Sequence, residues 1–195
     1  KIFNLHKDGK HKELWVEFDK YALTYSYYGV SKWHSEVLKT AHRLMDKDES
    51  YRFFDFFRKW GVGNFREQDW NEEVRGEFTN KPLVLKSLKR VFEFIKIQSN
   101  QDKDFSWILP LYEKALEFYS DDIWIVREYA TLLNVLGRSQ EAIKLYKNIA
   151  LEKGDQAYVW HEFANLIKHT NSKIAVSMLC KAVSLQKDED FLGTI

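Results

Sequence analysis

The chain has 195 residues, 45% of them apolar and 30% charged, with a formal net charge of +1. That composition excludes a disordered chain and supports a buried core. The near-neutral balance argues against a dedicated nucleic-acid binder, which carries a clear basic excess. Two prolines, Pro82 and Pro110, and eight glycines are few for a sheet protein of this length, so helices are expected. A single cysteine, Cys180, permits neither an internal disulfide nor a zinc site by itself. No apolar run approaches the about 18 residues that mark a membrane span, and no signal-peptide pattern is present. The expected setting is therefore the cytoplasm. Because the chain opens at Lys1 rather than Met, a longer parent protein remains open.

In chain order, Leu14, Trp15, Phe18, Tyr21, Ala22 and Tyr25 recur at steps of three and four and predict an amphipathic helix. Gly29 is its stop, and Ser31 is the N-cap of a second helix carrying Trp33, Val37, Leu38, Ala41, Leu44 and Met45. Asp48 or Ser50 caps a third, Tyr51 to Trp60, which Gly61-Val62-Gly63-Asn64 breaks. A short helix is expected around Asp69 to Phe78. Asn80-Lys81-Pro82 opens a long helix through Ile97, with Leu85, Leu88, Val91, Phe92 and Ile95 on one face. Ser99 to Asp104 reads as a polar loop before a helix at Trp107.

From here the sequence repeats itself. Trp124 to Asn134, shifted by 34 residues, lands on Tyr158 to Lys168. Glu128/Glu162, Ala130/Ala164 and Leu132/Leu166 are identical. Most other pairs keep their class, among them Trp124/Tyr158, Ile125/Val159, Arg127/His161 and Tyr129/Phe163. Leu111 to Leu116 matches Leu145 to Ala150 at the same shift, and Met178 to Val183 is a third copy one residue short. Ala130, Ala142, Ala164, Ala175 and Ala182 are small residues where helices must approach closely. Trp160 is expected to fill the space between helices.

A 34-residue helix–turn–helix unit with these positions resembles the tetratricopeptide repeat. Trp160, Phe163, Ala164 and Ile167 look like the first-helix set of that family, and Ala175, Leu179 and Ala182 like the second. Val126, Tyr129, Ala130 and Leu133 with Ala142, Tyr146 and Ile149 form the preceding copy. Leu136-Gly137-Arg138-Ser139-Gln140-Glu141-Ala142 resembles the family's turn. Ile149 stands where a small residue is usual, and the closing proline is missing from both copies. The match runs over roughly Ser106 to Asp188.

The resemblance implies an all-α superhelical solenoid of antiparallel helix pairs, about ten helices in all. Residues 81–195 would carry the repeats (about 81–120, 121–154 and 155–188). Residues 1–80, which hold 17 of the 31 aromatics, would form a degenerate or capping helical region.

Chemistry-bearing patterns are sparse. The six histidines, His6, His11, His34, His42, His161 and His169, include pairs eight apart, which diverge on a helix and ligate a metal poorly. They read as surface or partly buried structural residues. Asp46-Lys47-Asp48-Glu49-Ser50 lacks the glycine and terminal Glu of a calcium loop. Gly61-Val62-Gly63 follows no strand and is no phosphate loop. Cys180 reads as a small core or half-buried thiol. Arg52, Arg58, Lys59, Lys86, Lys89 and Arg90 alternate with acids and read as solvated helix faces. No catalytic set, metal site or cofactor motif emerges, so the chain is read as non-enzymatic.

In the tetratricopeptide fold the first helix of each repeat lines a concave groove. By that resemblance the groove residues here are Trp124, Arg127, Thr131 and Asn134, then Tyr158, His161, Asn165 and Lys168. Each set forms one helical stripe. Cationic, amide and aromatic groups together suit a protein or peptide partner of acidic or carboxylate character. Arg127, His161 and Asn165 do not complete the carboxylate clamp of the family's chaperone-binding members. The expected function is thus a peptide-binding scaffold. A second reading rests on the aromatic-rich N-terminal half, which resembles regions accompanying such modules in bacterial multidomain defence proteins. It is an accessory helical domain of a larger nucleic-acid-processing or defence protein. A third is an enzyme with a site in that half.

Overall fold

The computed structural model describes residues 1–25, 29–44, 50–98 and 104–186. The chain divides into two compact units, Lys1–Tyr112 and Glu113–Ile195. Ten α-helices and one two-stranded hairpin lie among the described residues. The fold is all-α, as expected, but the ten helices are a different ten. A helix not expected from the sequence, α1 (Ile2–Lys7), is present, and the one expected around Asp69 to Phe78 is not. Met45, the Asp46–Glu49 stretch, the Ser50 side chain, Ser99 to Lys103 and Phe191-Leu192 lie outside the described residues.

The first unit is built around aromatic rings. Helices α2 (His11–Tyr25), α3 (Lys32–Leu44), α4 (Ser50–Trp60) and α5 (Leu83–Gln98) supply it. On α4, Phe53, Phe54, Phe56, Phe57 and Trp60 are all buried. Phe56 meets Phe18 of α2 at 5.0 Å between centroids, Phe54 stacks on Phe94 of α5 at 4.4 Å, and Trp60 takes Phe65 edge-on at 4.9 Å. Tilted and edge-to-face ring pairs add to the stabilisation from burial, so so many aromatics form a core rather than a surface. On α5 it is Phe94, not Phe92, that enters this core. Phe92 instead carries the Lys96 ammonium 5.1 Å above its ring. These ring contacts tie α5 to the first unit, which runs to Tyr112.

Where a helix was expected, a 3-10 turn, Glu67–Trp70, is followed by the strands β1 (Glu73–Arg75) and β2 (Phe78–Asn80). Val74 pairs with Thr79, and Arg75 with Phe78. Trp70, Val74 and Phe78 are four apart, which is the helical signal. Gly76, however, sits in the turn at φ +61°, a conformation that ends a helix and closes a hairpin. Val74 and Phe78 are consequently 70% and 77% exposed. Asp69 is drawn inward instead. It accepts from Ser35 Oγ at 2.6 Å, from the Arg66 amide at 2.9 Å and from Arg66 Nη2 at 3.1 Å, while Arg66 Nε donates to Ser35 Oγ at 2.8 Å.

Two histidines read as surface or partly buried are held by this unit. His34 is buried, and its Nδ1 lies 2.5 Å from the Tyr21 hydroxyl oxygen. His42 lies 4.6 Å from the Phe53 ring, with Nε2 2.9 Å from Ser87 Oγ. Burial, with the charges of Arg90 and Lys86 behind it, lowers the His42 pKa to about 3.

The second unit holds α7 (Ile123–Val135), α8 (Ser139–Lys153), α9 (Ala157–Ile167) and α10 (Ser172–Leu185), two antiparallel helix hairpins in sequence. Helix α6 (Leu109–Phe118) spans the boundary between the units. Asp122 caps α7 by accepting from the Trp124 amide at 2.9 Å, and Asn171 caps α10 through Ile174 at 3.1 Å. Gly137, at φ +78°, turns the chain between α7 and α8. Ala130, Ala142, Ala164, Ala175 and Ala182 are all buried, as the close helix approach requires. Trp160 departs from expectation. It is only partly buried, with Nε1 donating to the Gly154 carbonyl at 2.7 Å. Cys180 also departs, being free and exposed.

Two outcomes are expected of the first unit. Asp69→Ala strands the Ser35 and Arg66 donors and should cost roughly 2–3 kcal/mol in urea unfolding, with Asp69→Asn milder. For His42 the depressed native pKa means that, between about pH 6.5 and 3, the unfolded state binds the proton and the native state does not. Stability should therefore fall as pH falls through 6.5, by about 1–2 kcal/mol from pH 7 to 5. Thermal melts of His42→Gln should show that much less acid sensitivity than the parent chain.

Candidate functional site

The eight stripe residues fall on α7, the turn after α9, and α9 itself, all within the second unit. Trp124 and Tyr158, one repeat apart, face each other as nearly parallel rings, 6.1 Å between centroids and 15° between planes. The Arg127 guanidinium lies 4.2 Å from each centroid. Since 4.2 Å exceeds half of 6.1 Å, the guanidinium sits beside the line joining the centroids, against both rings. Trp124 stays 59% exposed, whereas Arg127 is 7% exposed.

Arg127 is committed to an internal partner. Its Nε donates to Glu162 at 2.8 Å and its Nη2 to the other Glu162 oxygen, a bidentate pair. The Tyr146 hydroxyl of α8 donates to the same carboxylate at 2.8 Å. Burial by itself would lower the Arg127 pKa, but the Glu162 hydrogen bonds outweigh it and the guanidinium is held more firmly charged. Burial first, and then Glu162, pushes the Tyr146 phenol well above its ordinary value. The remaining Arg127 nitrogen, Nη1, is buried without a hydrogen-bond partner. The neighbouring ring faces are its compensation, since a guanidinium N–H is attracted to a π surface.

The other stripe residues keep their polar groups nearer the surface. Thr131 bonds back to the Arg127 carbonyl at 3.0 Å, and Asn134 accepts from Ser139 at 2.8 Å, so both serve their own hairpin. Asn165 reaches His161 at 3.2 Å along α9, and Asn165 and Lys168 are exposed. The structure thus brings Trp124, Arg127 and Tyr158 into one cluster and leaves His161, Asn165 and Lys168 as a polar run beside it. Glu162 and Tyr146 complete the cluster and were not among the expected site residues. The signal was present in the identity of Glu128 with Glu162 across the repeat, which marks a position kept for more than solubility.

No group of three or more metal-ligating side chains occurs among the described residues, and no helix there is long and apolar enough to cross a membrane.

Helix hairpins repeating at this interval, with an aromatic-lined inner stripe, define a tetratricopeptide-like helical-repeat fold. The crystal structure of YrrB, a TPR protein with an unusual peptide-binding site, is similar at a TM-score of 0.55 and 16% sequence identity, over 97% of this chain and 84% of that one. Residues 123–195, which include both complete helix hairpins, match a family model described as a domain of unknown function (DUF7017). No curated protein matches the chain.

The bridge between repeats predicts a particular non-additivity. Glu162→Ala leaves a buried guanidinium unpaired and should cost about 2–3 kcal/mol, less than a wholly buried pair because Glu162 is partly exposed. Arg127→Met combined with Glu162→Leu should cost less than Glu162→Ala alone. Chemical unfolding of Glu162→Ala, Arg127→Met, Glu162→Leu and the double variant measures this, and additivity of the two single changes in the double would show that the ion pair is not what joins α7 to α9.

Proposed function

We propose that the chain is a non-catalytic scaffold that binds a protein segment along the α7–α9 stripe, through Trp124, Arg127, Thr131, Asn134, Tyr158, His161, Asn165 and Lys168. The observation that carries this reading is the Trp124–Tyr158 ring pair. An indole left more than half exposed while stacked on a second ring and held by a guanidinium is poorly explained by stability alone. Rigid aromatic anchors of this kind give contact area at low entropic cost.

The likeness to a peptide-binding TPR protein supports a partner-holding role. The committed Arg127–Glu162 pair refines the residue roles. Arg127 orients the two rings, the exposed Lys168 supplies the positive charge that meets an acidic or carboxylate-bearing segment, and His161 offers a further polar contact beside it. Asn165 offers both a donor and an acceptor to a peptide backbone.

The test is capture from source-cell lysate on the tagged chain, with and without nuclease, followed by affinity measurement with the identified partner. A discrete protein that survives nuclease, and whose binding falls about tenfold or more with Trp124→Ala plus Asn165→Ala at unchanged helix content, supports the reading. Capture that vanishes with nuclease overturns it in favour of an accessory domain in nucleic-acid processing. Binding indifferent to both substitutions removes the stripe from the site.

A further inference from the structure

Helix α9 carries a second stripe. Trp160, Phe163 and Ile167 lie about half a turn around the helix from Tyr158, His161 and Asn165. They form the floor of a groove of about 580 Å³ whose walls are α8 and α10. Ile143, Lys147 and Leu151 stand on the α8 side, and Ile174 and Met178 on the α10 side. The volume falls within the range of roughly 300–1,000 Å³ typical of binding clefts.

Its rim is apolar where a solvated helix should be polar: Leu151 is 87% exposed and Ile174 47%. Scattered single apolar residues on a surface carry no message, but these converge on one depression. They also explain why Trp160 is only partly buried, since its ring forms part of a floor and not of a closed core.

The charges beside the groove have one sign. Lys147 lines it, Lys144 precedes it by one turn on α8, and Lys173 adjoins Ile174 on α10, all three exposed. Among the described residues, none of these lysines has a carboxylate partner, and no Asp or Glu lines the groove. The acids nearby on α8 are engaged with their own neighbours, Glu141 by Arg138 at 2.7 Å and Glu152 by Lys153 at 3.6 Å.

We propose that this α8–α10 groove is a second docking surface, taking a short amphipathic segment of a partner protein. The segment's apolar side enters the groove and its flanking Asp or Glu residues meet Lys144, Lys147 and Lys173. An apolar helix face laid into a groove between two helices is a common recognition mode, and the charges at its edges set orientation and partner choice. This surface is distinct from the α7–α9 stripe, so the two stand or fall separately.

The experiment uses the full chain and a fluorescein-labelled peptide with a Phe-Leu-Leu core between pairs of glutamates. Its control carries lysines in place of the glutamates, and anisotropy reads the binding. The acidic peptide should bind saturably, about tenfold tighter than the control, with the difference shrinking as salt rises. Lys147→Glu should reverse the preference, and Leu151→Asp should weaken both peptides. Because both side chains are exposed, neither change should alter the circular dichroism; affinity lost with Trp124→Ala but kept with Leu151→Asp would place the peptide on the α7–α9 stripe and overturn the proposal. Absence of saturable binding, or binding indifferent to Lys147→Glu and Leu151→Asp, overturns the proposal. Two further results would reassign the groove. Concentration-dependent self-association abolished by Leu151→Asp gives it to a second copy. A rise in peptide affinity with Phe191→Asp plus Leu192→Asp gives it to this chain's own sequence.

Discussion

The bidentate pair between the buried Arg127 on α7 and the partly exposed Glu162 on α9 is the constraint on which the candidate binding face depends. It joins equivalent helices of successive repeats at a point where two aromatic rings also meet, with Tyr146 of α8 on the same carboxylate. A charge pair removed from water stabilises only where its geometry and remaining hydrogen bonds are good. Here the carboxylate accepts from three donors, and the unpaired guanidinium nitrogen faces ring surfaces. The same pair that closes the repeats therefore sets the angle of Trp124 against Tyr158. The bridge between the repeats and the proposed binding face thus share one cluster.

The first unit achieves rigidity differently. Its core is a run of ring contacts from Phe18 through α4 to Phe94, with a polar knot, Ser35–Arg66–Asp69, whose members bond to one another. The rings are core, which removes most of the aromatic residues of that half from consideration as an exposed site. Phe3 and Trp33 remain at the surface, 6.1 Å apart, as do Val74 and Phe78 of the hairpin.

Much of the second unit was legible in the sequence because its helices repeat. A 34-residue shift that preserves Ala130/Ala164 and Leu132/Leu166 can be satisfied only by like helices packing alike, and the buried alanines lie where that argument places them. The hairpin at Glu73 to Asn80 was not legible by the same means. Trp70, Val74 and Phe78 have helical spacing, and only the positive φ at Gly76 and the inward pull on Asp69 decide against a helix. Trp160 failed for a related reason. Periodicity says which face of α9 is apolar, but whether that face is sealed depends on how far apart α8 and α10 stand.

By itself the sequence determined the helical class, the repeat and its period, and the two stripes of α9, because these follow from side-chain spacing along one chain. Only the tertiary structure decided that Arg127 serves Glu162 before any ligand, that Trp124 keeps most of its surface in solvent, and that a groove stays open beside Trp160. Each of these depends on distances between helices. Such distances arise from the packing of all the side chains at once, and no single segment encodes them.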